Sequence, residues 1–184
     1  QQTMYLRHNL EFHLLGNHLL ENAFALVFAS YYFQDSSLFG YSKKLLVDEL
    51  NEQILPDGTH FELSPMYHQT MLFRVLDTYN LVSNNDSFNR ELKPILKSKA
   101  ELMLGWLQQI TFSNGDIPLV NDSAFGISPT THELLEYGSR LGLHPKIVSL
   151  NESGYRKFNG DKFEMVADVG HIGPDYIPGH AHSD

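Results

Sequence analysis

Hydrophobic positions along this chain follow two different rhythms, and the change from one to the other divides it. From Leu14 to Phe33 the run LLGNHLLENAFALVFASYYF is apolar nearly all round, which predicts a helix buried on most sides. Leu46, Leu50 and Ile54 at four-residue spacing predict a second helix, with Ser42 as its cap, running through Leu55 and stopped by Pro56-Asp57-Gly58. Ser64-Pro65 predicts the start of a third, with Ser64 as N-cap and Pro65 at the first helical position, continuing through Met71, Leu72 and Val75 to Tyr79. A fourth is expected over 87–110, where Pro94 either starts the main body or kinks it. Thr130 and Glu133 have the spacing of a capping box for a short helix that ends near Gly142.

After Pro145 the texture turns strand-like. Tyr155 to Phe158 and Asp161 to Val169 flank Asn159-Gly160, a pair that favours a two-residue hairpin turn. A segment rich in glycine and proline follows, and the sequence ends Gly-His-Ala-His-Ser-Asp184. A lone hairpin is marginally stable in water, so further strands are expected to complete this β region. Helices followed by an antiparallel sheet give an α+β, two-domain plan, with a helical part over 1–145 and the start of a β domain over 146–184.

Composition narrows what such a molecule does. The 184 residues are 42% apolar and 12% aromatic with 19% charged residues, the balance of a globular chain rather than a disordered tail or coiled coil. No transmembrane segment is expected, because the longest greasy stretch, Ala23 to Phe33, is too short to span a bilayer. The absence of Cys excludes disulfides, thiolate metal sites and Cys nucleophiles. A formal charge of −9 argues against nucleic acid and heavily sulfated glycans as partners, since their capture needs a positive surface. With ten His against thirteen Lys plus Arg, an anion site here would draw on His and neutral donors.

Three polar groupings stand out. Asn17, His18, Glu21 and Asn22 form a polar stripe on the apolar first helix, and must face hydrogen-bonding partners inside the protein or a substrate cleft. Tyr67 stands at the third helical position after Ser64, where unpaired backbone N–H groups and the positive dipole end would ease phenolate formation; most such tyrosines simply bury a ring. His68 follows it directly. His180 and His182 share one face if the backbone there is extended, a spacing common in metal sites and equally common in loops. Asp57 to Glu62 and Asn121-Asp122-Ser123 read first as turn chemistry, whose side chains could line the same cleft.

Taken in order, Gly16-Asn-His-Leu-Leu-Glu-Asn22, Leu55-Pro-Asp-Gly-Thr-His-Phe-Glu-Leu-Ser-Pro-Met-Tyr-His68, Asp116-Ile-Pro-Leu-Val-Asn-Asp122 and Gly173-Pro-Asp-Tyr-Ile-Pro-Gly-His-Ala-His182 resemble the heparinase II/III family of polysaccharide lyases, over nearly the whole chain. The resemblance implies an incomplete (α/α) toroid followed by an antiparallel β-sandwich, with the glycan cleft between them. This chain would hold the later part of the toroid and the first strands of the sandwich. It also implies β-elimination on a uronic-acid-containing polysaccharide or oligosaccharide. Asn17 and His18 would neutralise the uronate carboxylate, and Tyr67 would be the acid and also a candidate base. His180 would be a partner base or charge stabiliser, and Glu21 would orient His18 or touch the sugar. His68 and Asn121 would contribute to substrate binding. His182 would ligate a structural divalent metal, zinc in this family, with its companion ligands beyond Asp184. The family setting is the bacterial periplasm or the exterior.

Two other readings compete: a non-catalytic glycan-binding or structural remnant of such a lyase, and a toroid-fold glycoside hydrolase. A hydrolase uses two carboxylates facing across a cleft, whereas Asn, His and Tyr dominate these motifs, which favours elimination.

Overall fold

The computed structural model describes residues 1–171. Six α-helices precede one β-hairpin: α1 (Gln2–His8), α2 (Gly16–Phe33), α3 (Ser36–Gln53), α4 (Pro65–Ser83), a 3-10 turn at Ser87–Arg90, α5 (Lys93–Ile110), α6 (Thr131–Arg140), β1 (Tyr155–Asn159) and β2 (Glu164–Asp168). Helices α2 and α3 pair, α4 and α5 pair, and α2 packs against α4 to join the two pairs. This is the mostly helical architecture with an antiparallel β start that the sequence predicts.

Local chemistry accounts for the boundaries. Helix α4 begins as predicted: the Ser64 side chain accepts from the Tyr67 N–H and Pro65 occupies the first turn. In α6, Thr130 and Glu133 form the reciprocal capping box. Pro94 lies in the first turn of α5 and starts its main body, leaving the residues before it to a separate short turn. The cap of α3 differs from expectation. Asp35 caps it, accepting from the Ser37 and Leu38 N–H groups at 2.9 and 3.0 Å, so the helix starts six residues before Ser42. Ser42 is buried inside the helix, where its hydroxyl donates to the Phe39 carbonyl at 3.3 Å, as serines in helices commonly do.

The hairpin also departs from expectation. Asn159 pairs with Glu164, so the loop is the four residues 160–163 rather than a two-residue Asn-Gly turn, closed by the Gly160 N–H donating to the Phe163 carbonyl at 2.9 Å. The outward-facing pattern of β2 gives this register nothing to correct it, whereas Tyr155 on β1 is fully buried and fixes the strand against the helices. The Tyr155 and Trp106 rings meet edge on at 5.6 Å, and the Trp106 indole donates to the Ser153 hydroxyl at 3.1 Å.

One apolar core runs through helices α2 to α6, from Leu20, Val27 and Leu46 through Leu72, Leu76 and Leu96 to Leu104, Leu107 and Leu134. Helix α2 is less enclosed than its composition suggests, since Phe28, Tyr32 and Phe33 remain exposed on its C-terminal half. The turn after α3 is welded to the rest: Asp57 accepts from Thr59 through one oxygen and from the Ser153 N–H through the other, at 2.8 Å. Gly58 at φ +92° lies directly under the Leu102 carbonyl of α5, where an added methyl carbon would stand 2.4 Å from the oxygen.

Two glycines with the same φ separate strain from clash. Gly115, also at φ +92°, has open space around it. We expect Gly115→Ala to cost about 1 kcal/mol from backbone strain alone, and Gly58→Ala clearly more, because α5 must also move. Urea denaturation of both variants checks this; equal losses would mean that the Gly58 contact relaxes freely.

Candidate functional site

The predicted site residues collect around the N-termini of α2 and α4, but they play different parts. Helix α2 enters through Leu15 and Gly16, both at positive φ, and no side chain caps it. Its exposed N–H groups find a carboxylate from another segment instead: Glu62, buried just ahead of α4, accepts from the Asn17 N–H at 3.3 Å. An acidic group at this end of a helix is favoured by the unpaired donors and the dipole together. Glu62 therefore ties the α2 motif to the α4 motif.

Tyr67 is partly buried in the first turn of α4, within electrostatic reach of Asp122 and Glu62. Desolvation raises its pKa above the usual 10, and the negative charges of Asp122 and Glu62 push in the same direction. This corrects the expectation that the helix terminus would ease phenolate formation. Burial and the two carboxylates together favour the protonated phenol.

The loop that carries Asp122 is fixed from both sides. Asn121 and Asp122 both lie at positive φ, an uncommon conformation for non-glycine residues that Asn and Asp tolerate best. The Ser64 hydroxyl donates to the Asp122 carbonyl, and the Ser123 hydroxyl lies 3.0 Å from that of Ser64 and accepts from the Met66 N–H. The Asn121 amide reaches the other way, to Tyr155 Oη at 3.0 Å and Asp168 of β2 at 2.6 Å. Asn121 is thus a buried bridge between the helices and the hairpin.

His68 is corrected more firmly. It is fully buried, its Nδ1 accepts from the His60 N–H at 3.3 Å, and its Nε2–H donates to the Met103 carbonyl at 3.0 Å. Both nitrogens are used and the ring packs 4.5 Å from Trp106, so this histidine joins α4 to α5 and is out of reach of a glycan. His60 extends the same network by donating from Nε2 to Gln53, whose amide in turn donates to the Gly16 carbonyl and to Glu49. The entry to α2 is thereby pinned to the end of α3.

The polar stripe of α2 divides. His18 points outward, its side chain 52% exposed and its Nδ1 3.9 Å from Glu11. Asn22 turns inward and exchanges hydrogen bonds with Glu11, donating to its carboxylate at 2.7 Å and accepting from its N–H at 3.0 Å. Glu21 pairs with Arg74 of α4 at 2.8 Å. The expectation that Glu21 orients His18 is replaced by this interhelix pair. Arg74 was missed in the sequence, where its only signal is its place two turns beyond Tyr67 on the same helix. Glu11 carried no signal, because it lies in a loop whose sequence names no motif.

His180 and His182 lie outside the described residues. Among the described residues, no group of three or more His, Asp or Glu side chains is disposed to hold a metal ion, and no helix is long and apolar enough to cross a membrane.

Two family models match the chain: "Heparinase II/III N-terminus" over residues 1–141 and "Heparinase II/III-like, C-terminal" over residues 110–184. Among solved structures, the crystal structure of the heparan sulfate lyase HepC from Pedobacter heparinus superposes with a TM-score of 0.64 at 22% identity, covering 98% of this chain. The chain spans 31% of that protein's length, and the likeness is one of fold. No curated protein matches.

The burial of His68 has a measurable consequence. Desolvation lowers its pKa from 6.5 to about 4. Between those values the unfolded chain binds a proton that the folded one refuses, so stability contributed by neutral His68 is complete above pH 6.5 and is lost as pH falls toward 4. The shift corresponds to about 3 kcal/mol. We expect His68→Gln to be less stable than wild type at pH 7 but to lose a clearly smaller amount between pH 6.5 and 4, as measured by chemical denaturation across that range. Parallel curves would mean that His68 protonates without penalty.

Proposed function

Because the chain belongs to the heparinase II/III family, we propose that it forms part of a polysaccharide lyase acting on a uronic-acid-containing glycan by β-elimination. The observation that supports this reading is that Glu62 serves both helix starts: it accepts from the Asn17 N–H of α2 and its charge acts on Tyr67 of α4.

Elimination needs three things: neutralisation of the carboxylate beside C5, a base for the C5 proton, and an acid for the departing C4 oxygen. Asn17 and His18 would meet the carboxylate, His18 from its exposed position at the mouth of the site. Tyr67 would protonate the C4 oxygen. His180 would take the C5 proton. The bond from C5 to hydrogen supplies the pair that becomes the C4=C5 double bond, while the C4–O pair leaves with the oxygen and Tyr67 gives that oxygen its proton. The net charge of −9 favours a sparsely charged uronate polymer over a densely sulfated one. A secreted or periplasmic setting accords with such a substrate.

We expect Tyr67→Phe in the complete protein to lower kcat at least about 100-fold with little change in melting temperature, because the ring packing stays and the proton donor goes. The readout is absorbance of the unsaturated uronate; a kcat within about tenfold of wild type would remove Tyr67 from the chemistry. New reducing ends without that absorbance would indicate hydrolysis. Asn17→Ala and His18→Ala should depress kcat more than they raise KM, and the reverse pattern would make them uniform binding groups.

For the terminal histidines the two losses should differ. His182 would be a ligand of a structural divalent metal, with zinc the expected ion, and none of the proposed steps uses it. His182→Ala should release metal and lower the melting temperature of the complete protein, whereas His180→Ala should cost activity and leave both near normal. Metal analysis and melting curves decide this, and equal metal loss from both variants would assign the two residues to one site.

A further inference from the structure

Helices α4 and α6 leave a cavity of about 480 Å³ between them, away from the helix starts that carry Asn17, His18 and Tyr67. Two aromatic rings wall it, Phe73 of α4 and Tyr137 of α6, with centroids 6.2 Å apart and planes tilted by 53°. Its polar groups are few. The Tyr137 hydroxyl donates to one oxygen of Asp77 at 2.8 Å, and the other Asp77 oxygen has no hydrogen bond among the described residues. Arg140 stands at the mouth, its side chain 68% exposed, its guanidinium 5.9 Å from the centre of the Tyr137 ring and 3.9 Å from Glu136, a surface pair weak enough to exchange. Glu133 lines the cavity as well, but it is engaged in the α6 cap by the Thr130 N–H and hydroxyl.

Asp77 also lines a second cavity of about 210 Å³ between α4 and α2, together with Phe28 and the Arg74–Glu21 pair. Glu21 is three residues, close to one turn, beyond His18 on α2. The two cavities thus form a line across α4 that leads from α6 toward the helix carrying Asn17 and His18.

We propose that the cavity between α4 and α6 is a non-reacting subsite for one uronate ring of an oligosaccharide: the sugar lays a C–H face on Tyr137, donates a hydroxyl to Asp77 and gives its carboxylate to Arg140. A pyranose suits this lining because it is amphipathic in the same way, with apolar C–H faces and a rim of hydroxyls that need acceptors. The volume falls within the range of small-ligand pockets, about 300–1,000 Å³. A lipid chain would leave Asp77 unpaired against hydrocarbon, and a phosphate would meet two carboxylates, Asp77 and Glu133, beside one arginine. A uronate carboxylate matches a guanidinium in charge and in planar geometry. Asp77 lies ten residues beyond Tyr67, about 15 Å along the helix, so a ring held here does not react. It anchors a chain whose other units extend toward α2. Binding at the subsite is independent of the chemistry at Tyr67, and only its contribution to turnover rests on the lyase reading above.

The test is fluorine NMR on the complete protein labelled with 3-fluorotyrosine, with Tyr137→Phe identifying the Tyr137 signal. The probes are unsulfated heparosan, hyaluronan and alginate hexasaccharides at up to millimolar concentration. We expect at least one of them to shift the Tyr137 signal. By calorimetry, Tyr137→Ala should weaken that hexasaccharide about tenfold or more, and Arg140→Ala should weaken it while leaving its carboxyl-reduced counterpart unaffected. In turnover, Tyr137→Ala should raise KM by a similar factor with kcat within about twofold, the mark of a group that binds without taking part in the chemical step. A Tyr137 signal unmoved by all three probes overturns the inference, as does a Tyr137→Ala variant that keeps full affinity or loses kcat at unchanged KM. Equal losses from Arg140→Ala for the native and the carboxyl-reduced sugar overturn the assignment of the carboxylate to Arg140. If unsaturated product forms while the Tyr137 signal stays still, the subsite falls and the lyase reading stands; if the signal moves and no probe yields unsaturated product, the reverse holds. Should Tyr137→Ala not fold, the wild-type signal and Arg140→Ala, which removes an exposed side chain, decide the matter.

Discussion

Burying Asp57, His60, Glu62 and His68 in the space around one connecting segment obliges the fold to supply a partner for each, because an unsatisfied buried polar group costs on the order of 1–3 kcal/mol and a bare charge more. The partners come from every direction: Thr59 and Ser153 for Asp57, Gln53 for His60, the α2 backbone for Glu62, and Met103 for His68. Satisfying this segment therefore fixes the end of α3, the start of α2, the start of α4, the middle of α5 and the approach to the hairpin in one step. The apolar core supplies the bulk of the stability. The polar segment decides which arrangement of helices is stable.

That division explains what could be seen in the sequence beforehand. The α4 start was legible because Ser64 and Pro65 act within one turn of each other, and the same holds for Thr130 and Glu133. Ser42 misled because a serine before an apolar run is only a local signal, while the actual cap, Asp35, competes from seven residues earlier and leaves Ser42 to be buried by packing. The hairpin loop misled for a related reason: Asn159-Gly160 suits a tight turn, but the register is set by Tyr155 locking onto Trp106, a contact between residues 49 apart in sequence. Signals that act at short range were read correctly when nothing distant opposed them.

The candidate site shows the same limit more sharply. Its residue types could be listed from four motifs, and the starts of α2 and α4, which carry Asn17, His18 and Tyr67, are tied through Glu62. Their surroundings could not be read. Nothing in the sequence places His68 in the core while its neighbour Tyr67 reaches the site, yet adjacent residues on a helix are turned by about 100° and so face different environments. Nor does it reveal that Glu62 and Asp122 surround the phenol, since the dipole of α4 is visible from the sequence and these carboxylates arrive from other segments. The sign of the effect on Tyr67 was consequently reversed.

The Asn121 bridge carries an implication for how the molecule matures. Helices α2 to α5 can assemble from contacts close in the chain, and such contacts form quickly. The loop bearing Asp122 is different, because one of its anchors is Asp168 on the second β-strand, which emerges after all six described helices during synthesis. A nascent helical assembly would thus possess Tyr67 and its helix start before the loop bearing Asp122 is fastened on both sides. The loop is fastened on its second side only when the hairpin docks, so its geometry waits on a contact between residues 47 apart in sequence.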